Sequence, residues 1–290
     1  MASIPNKVAD RLAVGIKRFQ PVLISAKSRD VNESDTVIIV TDMLDAVFGY
    51  DKYSEVTSEL AIRGTYCDLA IKLDSKIRLL IECKAIGSEL KEPHLKQAVD
   101  YAANQGIEWV ALTNGIHWRI YRVSFGQPIG QDLVEEFDFL ALNPKADGDL
   151  ESLYLLAKEG LTRSVLEEYH LKRQAMSRFF LGAMILSDPV LTVIRRELRR
   201  LSPGVRIEIE EIRAILAEDV LKRDVLEGER ADNAHRKIAK AQRAKAPKDT
   251  EDTESDETQK AVPVPSETAT PPAPQPLVAQ TDGSIPPPGA

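Results

Sequence analysis

Apolar residues Val8, Leu12, Ile16 and Phe19 recur at helical spacing, which predicts a helix over residues 6–19 that stops at Pro21. A second helix is expected from Asp30 or Asn32 to about Gly49, with Glu33, Val37, Val40, Leu44 and Val47 on one line of its surface. The period then changes. Residues 55–62 read as a strand, followed by an Arg63-Gly64 turn. The stretch from Thr65 to Ile86 holds two apolar runs of strand length around the polar turn Asp74-Ser75-Lys76. A helix is predicted over 91–105, with Pro93 in its first turn and Gly106 just past its end. Residues 107–113 and 117–123 read as strands joined by a tight Asn114-Gly115 turn. From residue 149 to about 243 the pattern is helical, in segments 150–158, 163–176, 188–201 and 207–226, with Ser202-Pro203-Gly204 breaking the last two apart.

The order helix, three strands, helix, two strands predicts a compact mixed α/β unit. We divide the chain into a helical lead (1–24), the α/β unit (25–125), a linker (126–148), a helical region (149–245) and a tail (246–290). The tail holds ten of the seventeen prolines among Thr, Ser, Glu and Asp, too little apolar surface to offset ordering entropy, and is expected to be disordered.

Within the two apolar runs, charge stands where a core strand has none: Asp68 in the first, Glu82 and Lys84 in the second. Side chains alternate along a strand, so Glu82 and Lys84 share a face. A hairpin folded about Ser75 puts Asp68 opposite Glu82 and adds it to that face. Two carboxylates and an ammonium on an apolar sheet are costly to bury without compensation. A divalent cation supplies it: hard oxygen ligands suit Mg²⁺, and the lysine is left to hold a water. The competing explanation is a half-exposed sheet with a Glu-x-Lys surface pair. Glu33 begins an apolar helical stripe, yet Asp30 and Glu33 also suit a capping box, and the local pattern does not separate these roles. His94, Gln97 and Tyr101 share a helix face that suits either solvent or a phosphate backbone.

Composition narrows the field modestly. With 43% hydrophobic and 29% charged residues the chain is globular in type. No apolar run approaches a bilayer-spanning length and the first residues lack a signal-peptide layout, so a cytoplasmic protein without membrane contact is expected. The two cysteines, Cys67 and Cys83, flank site residues; folding about Ser75 makes them cross-strand neighbours, reduced and facing away from a metal. The formal charge is −7, but eight acids against two lysines after residue 245 account for −6 of it, so acidity does not exclude nucleic acid. Arg195, Arg196, Arg199 and Arg200 cluster on one helix. A solvated face with internal Glu–Arg pairs is the commoner explanation there, a nucleic-acid patch the other.

Asn32-Glu33-Ser34-Asp35-Thr36, Cys67-Asp68-Leu69-Ala70-Ile71 and Ile81-Glu82-Cys83-Lys84-Ala85 together resemble the PD-(D/E)xK nuclease superfamily, closest to the N-terminal nuclease domain of the type I restriction enzyme R protein. Gln97 and Tyr101 match its Gln-x-x-x-Tyr helix, and Leu112-Thr113-Asn114-Gly115 followed by Trp118 is also typical. The resemblance implies a restriction-endonuclease-like mixed sheet flanked by helices over residues 25–125. It implies Mg²⁺, replaceable by Mn²⁺, held by Asp68, Glu82, the Cys83 carbonyl and Glu33. Lys84 would orient the attacking water, and Gln97 would contact the site or DNA. The implied activity is DNA phosphodiester hydrolysis in restriction or defence. No helicase motif follows, so methylase, specificity or motor subunits would act in trans, and the helical region would make a homodimer or subunit contact. An inactive DNA-binding or docking relative is the alternative, and RNA is not distinguished from DNA.

Overall fold

The structure is a computed structural model that describes residues 3–62 and 65–245. The Arg63-Gly64 turn and the tail expectation for 246–290 lie outside the described residues. Helix α1 (Asn6–Ser28) is longer than the sequence suggests, because it runs through Pro21. Pro21 is exposed and forfeits one backbone hydrogen bond, while Leu23 and Ala26 beyond it are buried and hold the helix to the core. Helix α2 (Glu33–Ala46) is capped by Asn32, whose side chain accepts from the Asp35 N–H at 2.9 Å. The expected Asp30–Glu33 capping box is absent: Asp30 lies in the left-handed region (φ 47°) and its carboxylate presses on Gly87. A Cβ at Gly87 would lie 2.4 Å from Asp30 Oδ1, so a side chain there would displace that exposed carboxylate.

Six strands form one sheet in sequence order: β1 (Val56–Ile62), β2 (Thr65–Leu73), β3 (Lys76–Cys83), β4 (Trp109–Thr113), β5 (His117–Ser124) and β6 (Gly130–Asp138). All pairs are antiparallel except β3–β4, which are parallel and joined through helix α3 (Glu92–Gln105). The sheet thus has two covered faces. Leu80, Ala70, Val110 and Leu112 pack with Leu95, Ala98, Val99 and Tyr101 of α3. Leu69, Ile71, Leu79, Ile81 and Ala111 pack with α1 and α2 on the other side.

Strand β6 falls where a linker was expected. Four of its nine residues are acidic and only Val134 is buried, as suits the edge of a sheet, and this hides its apolar alternation. Val134 is nonetheless buried, and Phe137 stacks on Trp118 with ring centroids 6.2 Å apart. Nor is the helical region wholly separate. Helices α4 (Asp147–Leu156), α5 (Lys158–Thr162) and α6 (Val165–Ala175) place Leu150, Leu153, Leu156, Val165 and Leu166 in the same core as α1 and the sheet. Beyond them lie α7 (Arg178–Ile185), α8 (Asp188–Leu201), α9 (Ile209–Ile215), a π turn (Leu216–Val220), α10 (Arg223–Leu226) and α11 (Glu229–Lys245). No helix among the described residues is long and apolar enough to cross a membrane.

One arginine fastens these layers. Arg11 donates to both Glu159 oxygens (2.8 and 2.6 Å) and to the Val47 and Phe48 carbonyls at the end of α2. Its guanidinium occupies the space a side chain at Gly49 (φ 83°) would need, and it holds the Glu159 carboxyl below the usual range. Arg11→Ala leaves two carbonyls and a half-buried carboxylate without their donor, and is expected to cost about 2 kcal/mol. Urea denaturation measures this; an unchanged midpoint would contradict the clamp.

Candidate active site

The site grows from the β2–β3 hairpin. Its turn is two residues, Asp74 and Ser75, both at positive φ (51° and 63°) as a type I′ turn requires. That turn sets Leu73 opposite Lys76 and Lys72 opposite Ile77. Continued unbroken, this register would pair Asp68 with Ile81 and turn Glu82 to the other face. The register shifts between Ile71 and Lys72, leaving Arg78 as the extra residue of a β-bulge. Beyond it Ile71 faces Leu79 and Leu69 faces Ile81, so the next step brings Asp68 to Glu82. The sequence reading reached the same juxtaposition by a three-residue turn about Ser75. The chain reaches it by a shorter turn and a bulge.

The charged groups converge at the end of β3. Asp68 Oδ2 accepts the Cys83 backbone N–H at 2.7 Å. Lys84 Nζ lies 2.9 Å from Glu82 Oε1 and 3.2 Å from Glu33 Oε1. The Lys84 backbone is pinned in turn, its N–H donating to the Thr113 carbonyl of β4 at 2.8 Å. Glu33, from the first turn of α2, thus joins the hairpin residues through the lysine. With Asn32 as the cap, the Glu33 side chain has no capping duty and turns to Lys84.

Burial makes this arrangement unbalanced. Glu82 is only 5% exposed, and its Oε2 is buried without any hydrogen-bond partner. Desolvation, with Asp68 and Glu33 nearby, pushes the Glu82 carboxyl up to about 7 despite its bond to Lys84. Asp68 is also raised, first by desolvation, against the opposing pull of the Cys83 N–H and Lys84. Burial alone would lower Lys84, but Glu82, Glu33 and Asp68 outweigh it and raise the ammonium. Three carboxylates around one ammonium leave an excess of negative charge in a half-buried place, and one oxygen has nothing to bind. A hard divalent cation suits that donor set. Among the described residues no three His, Cys, Asp or Glu side chains form one ligand cluster, and Glu33 is bonded to Lys84.

Gln97 is exposed on α3 and engaged in an interaction of its own. Tyr101, expected on the same polar face, is 4% exposed and packs in the α3 core with its hydroxyl buried and unpaired. His94 serves as a cap, its Nδ1 accepting the Lys91 N–H at 3.4 Å. Cys67 and Cys83 are buried and free, and they belong to different core clusters. Asn114, read as a turn residue only, is buried and makes four hydrogen bonds. It donates to the Ile86 and Ser88 carbonyls and accepts from the Ile116 and His117 N–H groups, fastening the loop after Lys84 to the β4–β5 turn. Nothing in an Asn-Gly dipeptide distinguishes such a bracket from a plain turn.

Residues 39–135 match the family model described as type I restriction enzyme R protein N terminus. The similarity covers about a third of the chain. The match takes in Asp68, Glu82, Lys84 and Gln97 and begins after Glu33, whose place in the site rests on its bond to Lys84. No curated protein and no solved structure matches the chain.

Proposed function

We propose that the chain is a Mg²⁺-dependent endonuclease that hydrolyses DNA phosphodiester bonds. The observation that carries this reading is the buried, unpartnered Glu82 oxygen beside Asp68, with Lys84 reaching into the same place. Asp68 and Glu82, with the Cys83 main-chain carbonyl, would hold the cation, and Mn²⁺ would substitute for it. When bound, Mg²⁺ supplies Lewis-acid stabilisation of the charge that develops on the phosphate oxygens. Lys84 positions the attacking water and adds a fixed positive charge beside the phosphate. Glu33 holds the lysine between itself and Glu82, so that the ammonium does not swing to solvent. Gln97, on the exposed side of α3, contacts the DNA. As the water oxygen bonds to phosphorus, the ester P–O bond breaks and the departing oxygen takes up a proton; no covalent enzyme intermediate is needed. We place this chemistry in the cytoplasm, with methylation, sequence choice and any motor supplied by partner subunits.

Supercoiled plasmid with Mg²⁺ or Mn²⁺ is the direct test. The wild-type chain should nick or linearise it, and Asp68→Asn should bind DNA without cutting. If neither protein cuts and both bind alike, the chain is a nuclease-fold docking module and the proposal fails.

A further inference from the structure

We infer that the outward face of α11 is a second DNA-contacting surface, which grips the duplex phosphate backbone away from the Asp68–Glu82–Lys84 site. Its inner face is fixed: Ala234 and Ile238 pack with Ala183, against Phe179 and Phe180 of α7, and Ala231 is fully buried. At 3.6 residues per turn, Arg236, Lys240 and Arg243 lie opposite that apolar stripe, and Arg236 and Lys240 are exposed. Residues 233–245 contain Arg236, Lys237, Lys240, Arg243 and Lys245 and no acid.

On α8, Arg196 and Arg200 both pair with Glu197, and Arg199 donates to the Ile207 carbonyl, so three of its four arginines are engaged internally. That is the solvated, self-paired face expected from the sequence. On α11, by contrast, no cation pairs with a carboxylate among the described residues. Lys237 lies over the Phe180 ring, 5.9 Å from its centroid, and Arg236 reaches only the Asp232 carbonyl at 3.4 Å. Like charges unrelieved on adjacent turns destabilise an isolated helix. A polyanion relieves them, and a duplex offers a charge every ~1.7 Å along its axis. From Arg236 to Arg243 the helix rises by seven residue steps, or about 10 Å. The inference concerns binding, not chemistry, and so stands apart from the nuclease reading.

The test uses the full chain and a fluorescent 30-base-pair duplex in EDTA, with anisotropy read across a NaCl series. Wild type is compared with Arg236→Glu/Lys240→Glu/Arg243→Glu and with the corresponding triple Gln variant; circular dichroism checks that the helix persists. The expected result is a loss of affinity of at least tenfold at low salt for the Glu variant. The slope of log K against log[NaCl] should become shallower by about 2 to 3, at roughly 0.9 for each phosphate that is no longer neutralised. The Gln variant should fall between. Unchanged affinity and slope would overturn the inference, as would a wild type that does not bind duplex. Loss of binding to phosphatidylserine vesicles with DNA binding intact would overturn it too, and assign the face to a membrane surface. Cleavage is scored separately: the Glu variant should still cut at saturating DNA, so a failed nuclease assay with a positive salt series removes only the catalytic reading.

Discussion

Lys84→Ala should cut plasmid about a thousandfold more slowly than wild type at saturating Mg²⁺, since a positioned charge and an oriented water are worth several kcal/mol at the transition state. DNA affinity should change little, because one ammonium that is 17% exposed and flanked by two carboxylates contributes little to ground-state phosphate binding. Lys84→Arg should restore only part of the rate: a guanidinium does not duplicate the compact ammonium held between Glu33 and Glu82. Glu33→Gln should lower the rate less than Lys84→Ala, because it loosens the lysine without removing it. A Lys84→Ala enzyme with wild-type turnover would remove the lysine from the chemistry.

Without divalent metal, stability should fall as pH rises from about 4.5 to about 7. The Glu82 carboxyl is lifted from the ordinary 4.5 to about 7, chiefly by desolvation, so the folded protein keeps a proton that the unfolded chain has lost. The stabilisation from that proton is complete below the unfolded value and disappears as pH passes through the folded one. The shift corresponds to about 3 kcal/mol, and the raised Asp68 acts in the same direction. Glu82→Gln does not titrate, so the stability gap between wild type and variant in EDTA should move by about that amount between pH 5 and pH 8, in favour of the variant at the higher pH. Mg²⁺ should reverse the trend for wild type alone, because binding needs the deprotonated pair. Chemical denaturation at both pH values measures this. A gap that does not change with pH would show that the carboxylate is not desolvated in the way its burial implies.

The sequence reading succeeded where period and charge act locally. The two apolar runs around Asp74 and Ser75, with acids out of place, led to the Asp68–Glu82 pairing that the register supports. The Arg78 bulge that secures this pairing was not legible, because an extra strand residue leaves no compositional mark. Glu33 was ambiguous for a related reason: a first-turn acid serves a cap or a site equally well, and only the Asn32 cap and the position of Lys84 separate the two. Pro21 and β6 misled in opposite directions. A proline with an exposed ring is tolerated when buried residues follow, and an acidic edge strand looks like a loop. Tyr101 was assigned to a polar face because hydroxyl-bearing side chains suit both water and core.

Isothermal titration of the metal-free protein with Mn²⁺ tests the central claim most directly. Wild type should take up one ion near pH 7.5, more weakly at pH 6, and both Asp68→Asn and Glu82→Gln should abolish the heat while remaining folded. Uptake that survives in both variants with unchanged stoichiometry and affinity would show that these two carboxylates do not share a cation.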